Sequence, residues 1–237
     1  MNIFDFFQED VIYHEYQPLF SLDSGNELYA VEALLRNASN VNPESVFQSA
    51  IRANILYKLD TLSIQKAVES FLDSSTSTCK LFLNIYITTI LHPNFLRFFQ
   101  SLLQPHPDLA HRLVLEVNES SAEEMWNNPL LKQKLNELRQ VGIMFAIDDF
   151  GQGSSSIKKA IEYEPECIKL DRYFAIDLAK DERKQRFLSM FKSFYEKDTI
   201  LVLEGIETKE DLLVAQQLGI DIGQGYYLGK PKALFAG

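Results

Sequence analysis

Acidic or amide side chains follow the short apolar segments of this sequence repeatedly, and they are the residues best suited to chemistry. They are Glu32, Asn84, Glu116, Asp148, Asp149, Glu204 and Gln224, while Lys169 lies inside a further apolar segment. A carboxylate buried near the end of a strand is costly unless a metal ion or another partner compensates it. Any one of these residues could cap the following helix, but their repetition favours a shared site.

The chemistry that this set predicts is the binding of hard divalent cations. Carboxylates held close together raise one another's pKa values unless a positive charge offsets them. Oxygen ligands without clustered Cys or His are typical of magnesium or manganese rather than zinc, and the 4 histidines of the chain are scattered. The sequence therefore predicts a site for magnesium or manganese.

Asp148 and Asp149 are adjacent, and adjacent side chains leave a regular strand on opposite faces. Both carboxylates can serve one site only if the backbone turns at this point. The glycine- and serine-rich stretch 150–156 follows directly and is typical of such a turn. We therefore expect a bend in the backbone at this pair.

Apolar runs of strand length alternate with stretches of helical periodicity from residue 79 onward, which is typical of βα units. The predicted strands are Cys79–Ile85, His111–Val117, Ile143–Ile147, Cys167–Leu170, Thr199–Leu203 and Ile220–Gly223. The predicted helices lie near residues 87–103, 123–140, 155–163, 174–197 and 208–218. Because the carboxyl ends of barrel strands share one rim, the polar residues would meet there.

Upstream of these units, the sequence predicts a hairpin and two helices. Ile12–Phe20 and Glu27–Leu35 look like strands joined by the turn-forming residues 23–26, and helical patterns cover roughly 43–53 and 55–73. The order fits an α/β protein with a (β/α)8 barrel in which one of the first two strands is antiparallel; a doubly wound open sheet is the alternative. We expect residues 1–11 to form a short segment that plugs the barrel floor or contacts a second subunit, and residues 12–237 to form one barrel domain.

Composition excludes several kinds of partner. The formal net charge of −10 repels DNA and RNA, although a small phosphate ester stays compatible if bound cations invert the local charge. The N-terminus carries no basic region, and no apolar stretch approaches the ~20 residues that a membrane span needs. We therefore expect a cytoplasmic protein that binds neither a nucleic-acid polymer nor a membrane.

Several stretches together carry a more specific pattern. They are Glu32-Ala33-Leu34, Leu115–Glu119, Asp148–Gly151, Ile168–Arg172 and Glu204–Thr208. In this order they resemble the EAL-domain cyclic di-GMP phosphodiesterases, and the resemblance extends over essentially the whole chain. It implies a modified triosephosphate-isomerase-type barrel, often dimeric, that binds two magnesium or manganese ions.

The resemblance also implies a role for each matching residue. Glu32, Asn84, Glu116 and Asp148 would bind one ion, and Asp148 would bridge to a second ion that Asp149 also holds. Lys169 would orient or deprotonate the attacking water, and Glu32 and Glu204 count as catalytic with it. Glu204 and Gln224 would support the metals and the nucleophile through water. The implied substrate contacts are Gln17, Arg36, Asp171 and Gln224, and the implied supports of the rim loops are Glu119 and Glu207.

The function implied is the metal-dependent hydrolysis of cyclic di-GMP to linear pGpG by a homodimeric enzyme of bacterial second-messenger signalling. The main alternative is a catalytically weak cyclic di-GMP receptor or protein-interaction module that uses the same cleft. The loop at 151–154 favours that alternative, because it differs from the form usual in the family. An unrelated metal-dependent barrel, such as a lyase acting on a carboxylate substrate, is a third possibility.

Overall fold

The strands of the predicted βα units pair into a closed barrel. The structure is a computed structural model, and it describes residues 3, 6, 11–23, 25–75, 78–118, 122–151, 156–195 and 199–234. Its strands are β1 (Ile12–Ser21), β2 (Leu28–Asn37), β3 (Lys80–Asn84), β4 (Leu113–Asn118), β5 (Met144–Phe150), β6 (Cys167–Leu170), β7 (Ile200–Leu203) and β8 (Ile222–Gly223). They follow the chain order around the barrel, with β1 antiparallel to both β2 and β8 and the other neighbours parallel. The expected barrel is thereby confirmed, and the open sheet is wrong.

Helices connect the parallel strands on the outside. They are α1 (Pro43–Arg52), α2 (Leu56–Leu72), α3 (Ile87–Ile90), α4 (Phe95–Leu103), α5 (Glu123–Trp126), α6 (Pro129–Gln140), α7 (Ser156–Tyr163), α8 (Glu182–Phe194) and α9 (Lys209–Gln217). Short 3-10 helices lie at Pro107–Arg112, Arg172–Phe174 and Leu178–Lys180. Within the described ranges, no helix combines the length and apolar character required to cross a bilayer.

Three of the predicted helices are interrupted in the structure. The helices predicted at 87–103 and 123–140 are each two helices, with Pro93 between α3 and α4 and Pro129 at the start of α6. Proline has no backbone N–H and disfavours a helical residue before it, so each proline ends one helix and permits a new one. The helix predicted at 174–197 starts only at Glu182, after Asp181 caps the N–H groups of Arg183 and Lys184.

One layer of apolar side chains, one from each strand, fills the barrel below the rim. Its members are Leu19, Ala30, Phe82, Val114, Ala146, Cys167, Val202 and Ile222. Side chains alternate between the two faces of a strand, so residues two positions nearer the rim face inward again. In strand order these residues are Gln17, Glu32, Asn84, Glu116, Asp148, Lys169, Glu204 and Gln224. We call this set the polar ring.

The N-terminal hairpin extends past the rim on one side of the barrel. Gly25 and Asn26 adopt φ values of +79° and +64° at its turn, which suit residues that tolerate the left-handed region. Phe6 is buried in a cluster with Ile12 and Leu35, so it packs at the rim end of this hairpin rather than under the barrel floor. Phe4 and Phe7 of this N-terminal segment lie outside the described residues. The boundary between residues 11 and 12 stays a prediction.

Candidate active site

The amine of Lys169 lies at the centre of the polar ring. Its Nζ atom is 2.7 Å from Glu116 Oε1 and from Glu204 Oε1, and 3.2 Å from Glu32 Oε2 and from Asp148 Oδ1. The lysine side chain is 1% exposed, so water screens these ion pairs little. Because a single positive charge meets four carboxylates from four different strands, the site as a whole favours further cations.

Two amides hold the carboxylate of Glu32 from either side. Asn84 Nδ2 donates to Glu32 Oε1 at 3.1 Å and lies 3.3 Å from Glu116 Oε2, while Gln224 Nε2 donates to Glu32 Oε2 at 2.7 Å. Glu32 belongs to β2, Asn84 ends β3 and Gln224 follows β8. The carboxylate therefore has a fixed orientation that depends on closure of the barrel.

A second group of oxygens lies beside the first. One carboxylate oxygen from each of Asp148, Asp149 and Glu204 lies within 4.8 Å of the other two. Asp149 adopts a φ of +56°, and the pairing of β5 with β6 shifts between Ile147 and Phe150. This irregularity is the expected bend, and a bulge of this kind redirects a side chain that a regular strand would point away.

Burial and mutual repulsion raise the pKa values of most of these acids. Burial raises the pKa of Glu204 to about 8 against the attraction of Lys169, and it raises that of Asp149 to about 6 with help from the charge of Asp148. Burial and the charge of Glu32 hold the pKa of Glu116 well above its ordinary value. Glu32 itself is the exception, because the attraction of Lys169 and the amide donors outweigh burial and lower its pKa. Without added cations, the cluster therefore retains protons near neutral pH.

The donor set fits divalent cations. Among the residues that the structure describes, Glu116 Oε1 and Asp148 Oδ1 are buried oxygens that accept no hydrogen bond of normal geometry, although both lie at ion-pair distance from Lys169. A buried oxygen without a hydrogen bond loses free energy that a bound cation would restore. The donors are carboxylates and an amide, which are typical ligands of magnesium and manganese.

The implied substrate and loop residues have more varied surroundings. Gln17 pairs with Glu32 across the hairpin, and its Nε2 donates to the Gly229 carbonyl at 3.2 Å. Arg36 lies further along β2, where its Nε is 2.8 Å from Glu15 Oε2.

Asp171 and Glu207, like Arg36, are not in the polar ring. Asp171 caps the 3-10 helix after β6 by accepting the N–H of Tyr173 at 2.8 Å. Glu207 forms an exposed ion pair with Arg172 at 3.1 Å. Glu119 lies outside the described residues.

The folded cluster keeps a proton that the unfolded chain releases, so the stability of the metal-free protein should depend on pH. In the folded protein the pKa of Glu204 is about 8, so the folded state holds a proton that the unfolded chain releases nearer pH 4. The stability that this proton provides is lost as pH rises through the folded-state pKa. Because this loss is progressive above the unfolded-state pKa and complete near the folded-state pKa, we expect the melting temperature in EDTA to fall between about pH 7 and pH 8 and then to level off, measured by circular dichroism.

Two other buried groups determine how that experiment is designed. Burial lowers the pKa of His14 to about 4 from an ordinary value of 6.5, so above about pH 7 His14 is largely neutral in both the folded and the unfolded state. Burial raises the pKa of Asp60 to about 7, so the Asp60→Asn variant separates its contribution from that of the polar ring. Manganese should reduce the slope, because it replaces the protons. A melting temperature that is flat or rises in EDTA would contradict the prediction.

Comparison with known proteins agrees with the family resemblance inferred from the sequence. The family model described as "EAL domain" matches residues 2–231. The "Probable cyclic di-GMP phosphodiesterase PdeG" of Escherichia coli is 29% identical over 225 residues, which is 91% of this chain and 44% of that protein. The chain therefore spans less than half the length of this curated relative.

Solved structures with the same fold also match this chain. The "EAL Enzyme Bd1971 - cAMP and cyclic-di-GMP bound form" matches with a TM-score of 0.83 and 26% identity, over 97% of this chain and 64% of that one. A "manganese/cy-diGMP complex" of Klebsiella pneumoniae BlrP1 matches with a TM-score of 0.83 and 24% identity, over 94% of this chain and 57% of that one. At that identity the second likeness concerns the fold alone.

Proposed function

The chain belongs to the EAL domain family, and on that premise we propose that it hydrolyses cyclic di-GMP to linear pGpG with two magnesium or manganese ions. The observation that carries the proposal is the polar ring, in which Lys169 meets four carboxylates that a single amine cannot neutralise. The name of the E. coli relative supports the choice of substrate, and the carboxylate and amide oxygens of the site support the choice of metal.

Two groups of ligands would hold the ions, and they are formed by residues of the polar ring together with the adjacent Asp149. Glu32, Asn84, Glu116 and Asp148 would hold one ion, and Asp148 with Asp149 would hold the other. Two close divalent cations supply, when bound, a lowered pKa for water and an offset for the charge on the attacked phosphate.

Lys169 orients the attacking water rather than serving as a general base. The carboxylates around it outweigh the effect of burial and keep its pKa well above the ordinary value, so the amine stays protonated. A protonated amine donates hydrogen bonds and cannot take up a further proton.

The proposed substrate contacts lie in the polar ring and at positions further out along the rim. Gln17 and Gln224 lie in the ring itself, and Asp171 follows β6 directly. Arg36 has a planar guanidinium, which suits bidentate contact with a phosphate. Glu119 and Glu207 would support the loops over the cleft.

We expect purified protein to convert cyclic di-GMP to pGpG with magnesium or manganese, and calcium to lower the rate at least about tenfold. Calcium takes a larger and more flexible shell of oxygens, which disturbs the geometry around the attacking water. The measurement is a turnover assay across the three metals, with the product identified by mass and an EDTA control. Equal rates in calcium and manganese would contradict the role of the ions.

The same assay distinguishes the alternative functions. Tight binding of cyclic di-GMP without product would favour the catalytically weak receptor or protein-interaction module. The family match excludes the unrelated metal-dependent barrel. Metal uptake without binding or turnover of cyclic di-GMP would contradict the proposed substrate. The homodimer and the cytoplasmic location stay predictions.

A further inference from the structure

Asn118, the last residue of β4, lies beside the polar ring without belonging to it. It is two positions beyond Glu116, so its side chain lies on the same face of β4, one layer nearer the rim. Its parallel partner on β5 is Asp148. The fold therefore places a carboxamide directly above the carboxylates of the ring.

The amide of Asn118 contacts the carboxylate of Asp149. Its Nδ2 atom donates a hydrogen bond to Asp149 Oδ2. Asp149 has the left-handed φ of +56° at the point where β5 and β6 lose register. A residue other than glycine keeps such a conformation only where its surroundings hold it, and this hydrogen bond connects Asp149 to the neighbouring strand.

The two connections that follow these strands contact each other a second time, further from the ring. Lys159 of α7 has a side chain that is 6% exposed, and its Nζ lies 3.4 Å from Glu123 Oε2 and 5.1 Å from the centre of the Trp126 ring. The hydroxyl of Tyr163 donates to the Trp126 carbonyl. These contacts fix α7 against α5. The connections that follow Asn118 and Asp149 are therefore also joined outside the site.

We infer that Asn118 is a positioning residue that acts through Asp149. Its N–H group fixes one oxygen of Asp149 and so keeps this carboxylate beside those of Asp148 and Glu204, within the 4.8 Å that the three oxygens span. The inference rests on the proposed function, because it assigns Asp149 to the second ion. Asn118 itself need not touch the ion, since its amide nitrogen faces the carboxylate.

The test is a manganese titration of the whole chain by calorimetry, without substrate. Loss of a residue that orients a metal ligand typically weakens binding about 10- to 100-fold. We expect Asn118→Ala to weaken one of two binding steps about tenfold, and Asn118→Asp to weaken it more, because the added charge repels Asp149. The melting temperature in EDTA should change little, and excess manganese should restore most of the turnover.

Two control variants separate this role from others. Gln133→Ala removes an amide that donates to Glu137 at 2.8 Å on the exposed face of α6, and it should leave manganese binding unchanged. Lys159→Met loosens the outer contact without touching Asp149, and it should change the dissociation constant less than about twofold.

Three results would overturn the inference: unchanged binding in Asn118→Ala, tighter binding in Asn118→Asp, or an equal loss in Lys159→Met. Tighter binding in Asn118→Asp would make residue 118 a direct ligand. If the wild-type protein binds no manganese, the proposed function fails together with this inference. If it binds manganese and turns over substrate while Asn118→Ala is unaffected, only the inference fails.

Discussion

Replacing Lys169 with methionine is expected to lower turnover about 10²- to 10³-fold, the range found when a preorganised hydrogen-bond donor is lost. In the absence of metal it should also destabilise the protein, because four carboxylates around the removed amine lose their shared cation. Removing one partner of a buried ion pair typically costs about 3–5 kcal/mol. Manganese should restore the melting temperature but not turnover, since added cations replace the charge of the amine without replacing its position.

Lys159→Met is the matched control for this variant. Lys159 is also a buried lysine, with a side chain that is 6% exposed, but it pairs with Glu123 away from the polar ring. We expect it to keep turnover within about twofold of the wild type, because Lys159 contacts no residue of the polar ring in this ion pair and changes at separate sites act independently. The measurements are initial rates at saturating manganese and melting curves with EDTA or manganese. A Lys169→Met protein with turnover within tenfold of the wild type would remove the lysine from the mechanism.

Glu32→Ala is expected to abolish measurable turnover, with a loss of at least about 10³-fold. Glu32 accepts hydrogen bonds from Asn84, Gln224 and Lys169, and its removal leaves buried donors without their acceptor as well as one ion without a ligand. Glu32→Gln keeps the shape and removes the charge, so it tests whether the charge itself is required. We expect its turnover to be lost almost as completely, and its melting temperature to fall less than that of Glu32→Ala, because one acceptor oxygen is kept.

The control for Glu32 is a glutamate that accepts an amide hydrogen bond in an exposed position. Glu69 on α2 accepts from Gln65 at 2.8 Å, so Glu69→Gln should leave both turnover and manganese binding unchanged. Manganese affinity, measured by calorimetry, should fall about 10- to 100-fold in Glu32→Ala, in line with the loss of a ligand or its support. Normal manganese binding and turnover in Glu32→Ala would refute the assignment of Glu32 to an ion.

Local sequence patterns were sufficient for the strands and for the chemistry of the candidate site. The predicted strand Cys167–Leu170 matches β6, and the other predicted strands differ from the observed ones by a few residues at their ends. An acidic residue at the end of an apolar run stands out because burial would otherwise forbid it. The breaks at Pro93 and Pro129 were also readable, and the predictions missed them because helical periodicity continues across both prolines.

The sequence by itself determined which residues of a strand share a face, since alternation along a strand depends only on neighbouring residues. The tertiary structure alone decided that these side chains meet. Glu32 contacts Lys169 and Gln224, which are 137 and 192 positions away, and only closure of the barrel brings such distant residues together. The same holds for Asn118: the local pattern predicts the bend at Asp149, but the register of neighbouring strands decides that Asp149 meets Asn118.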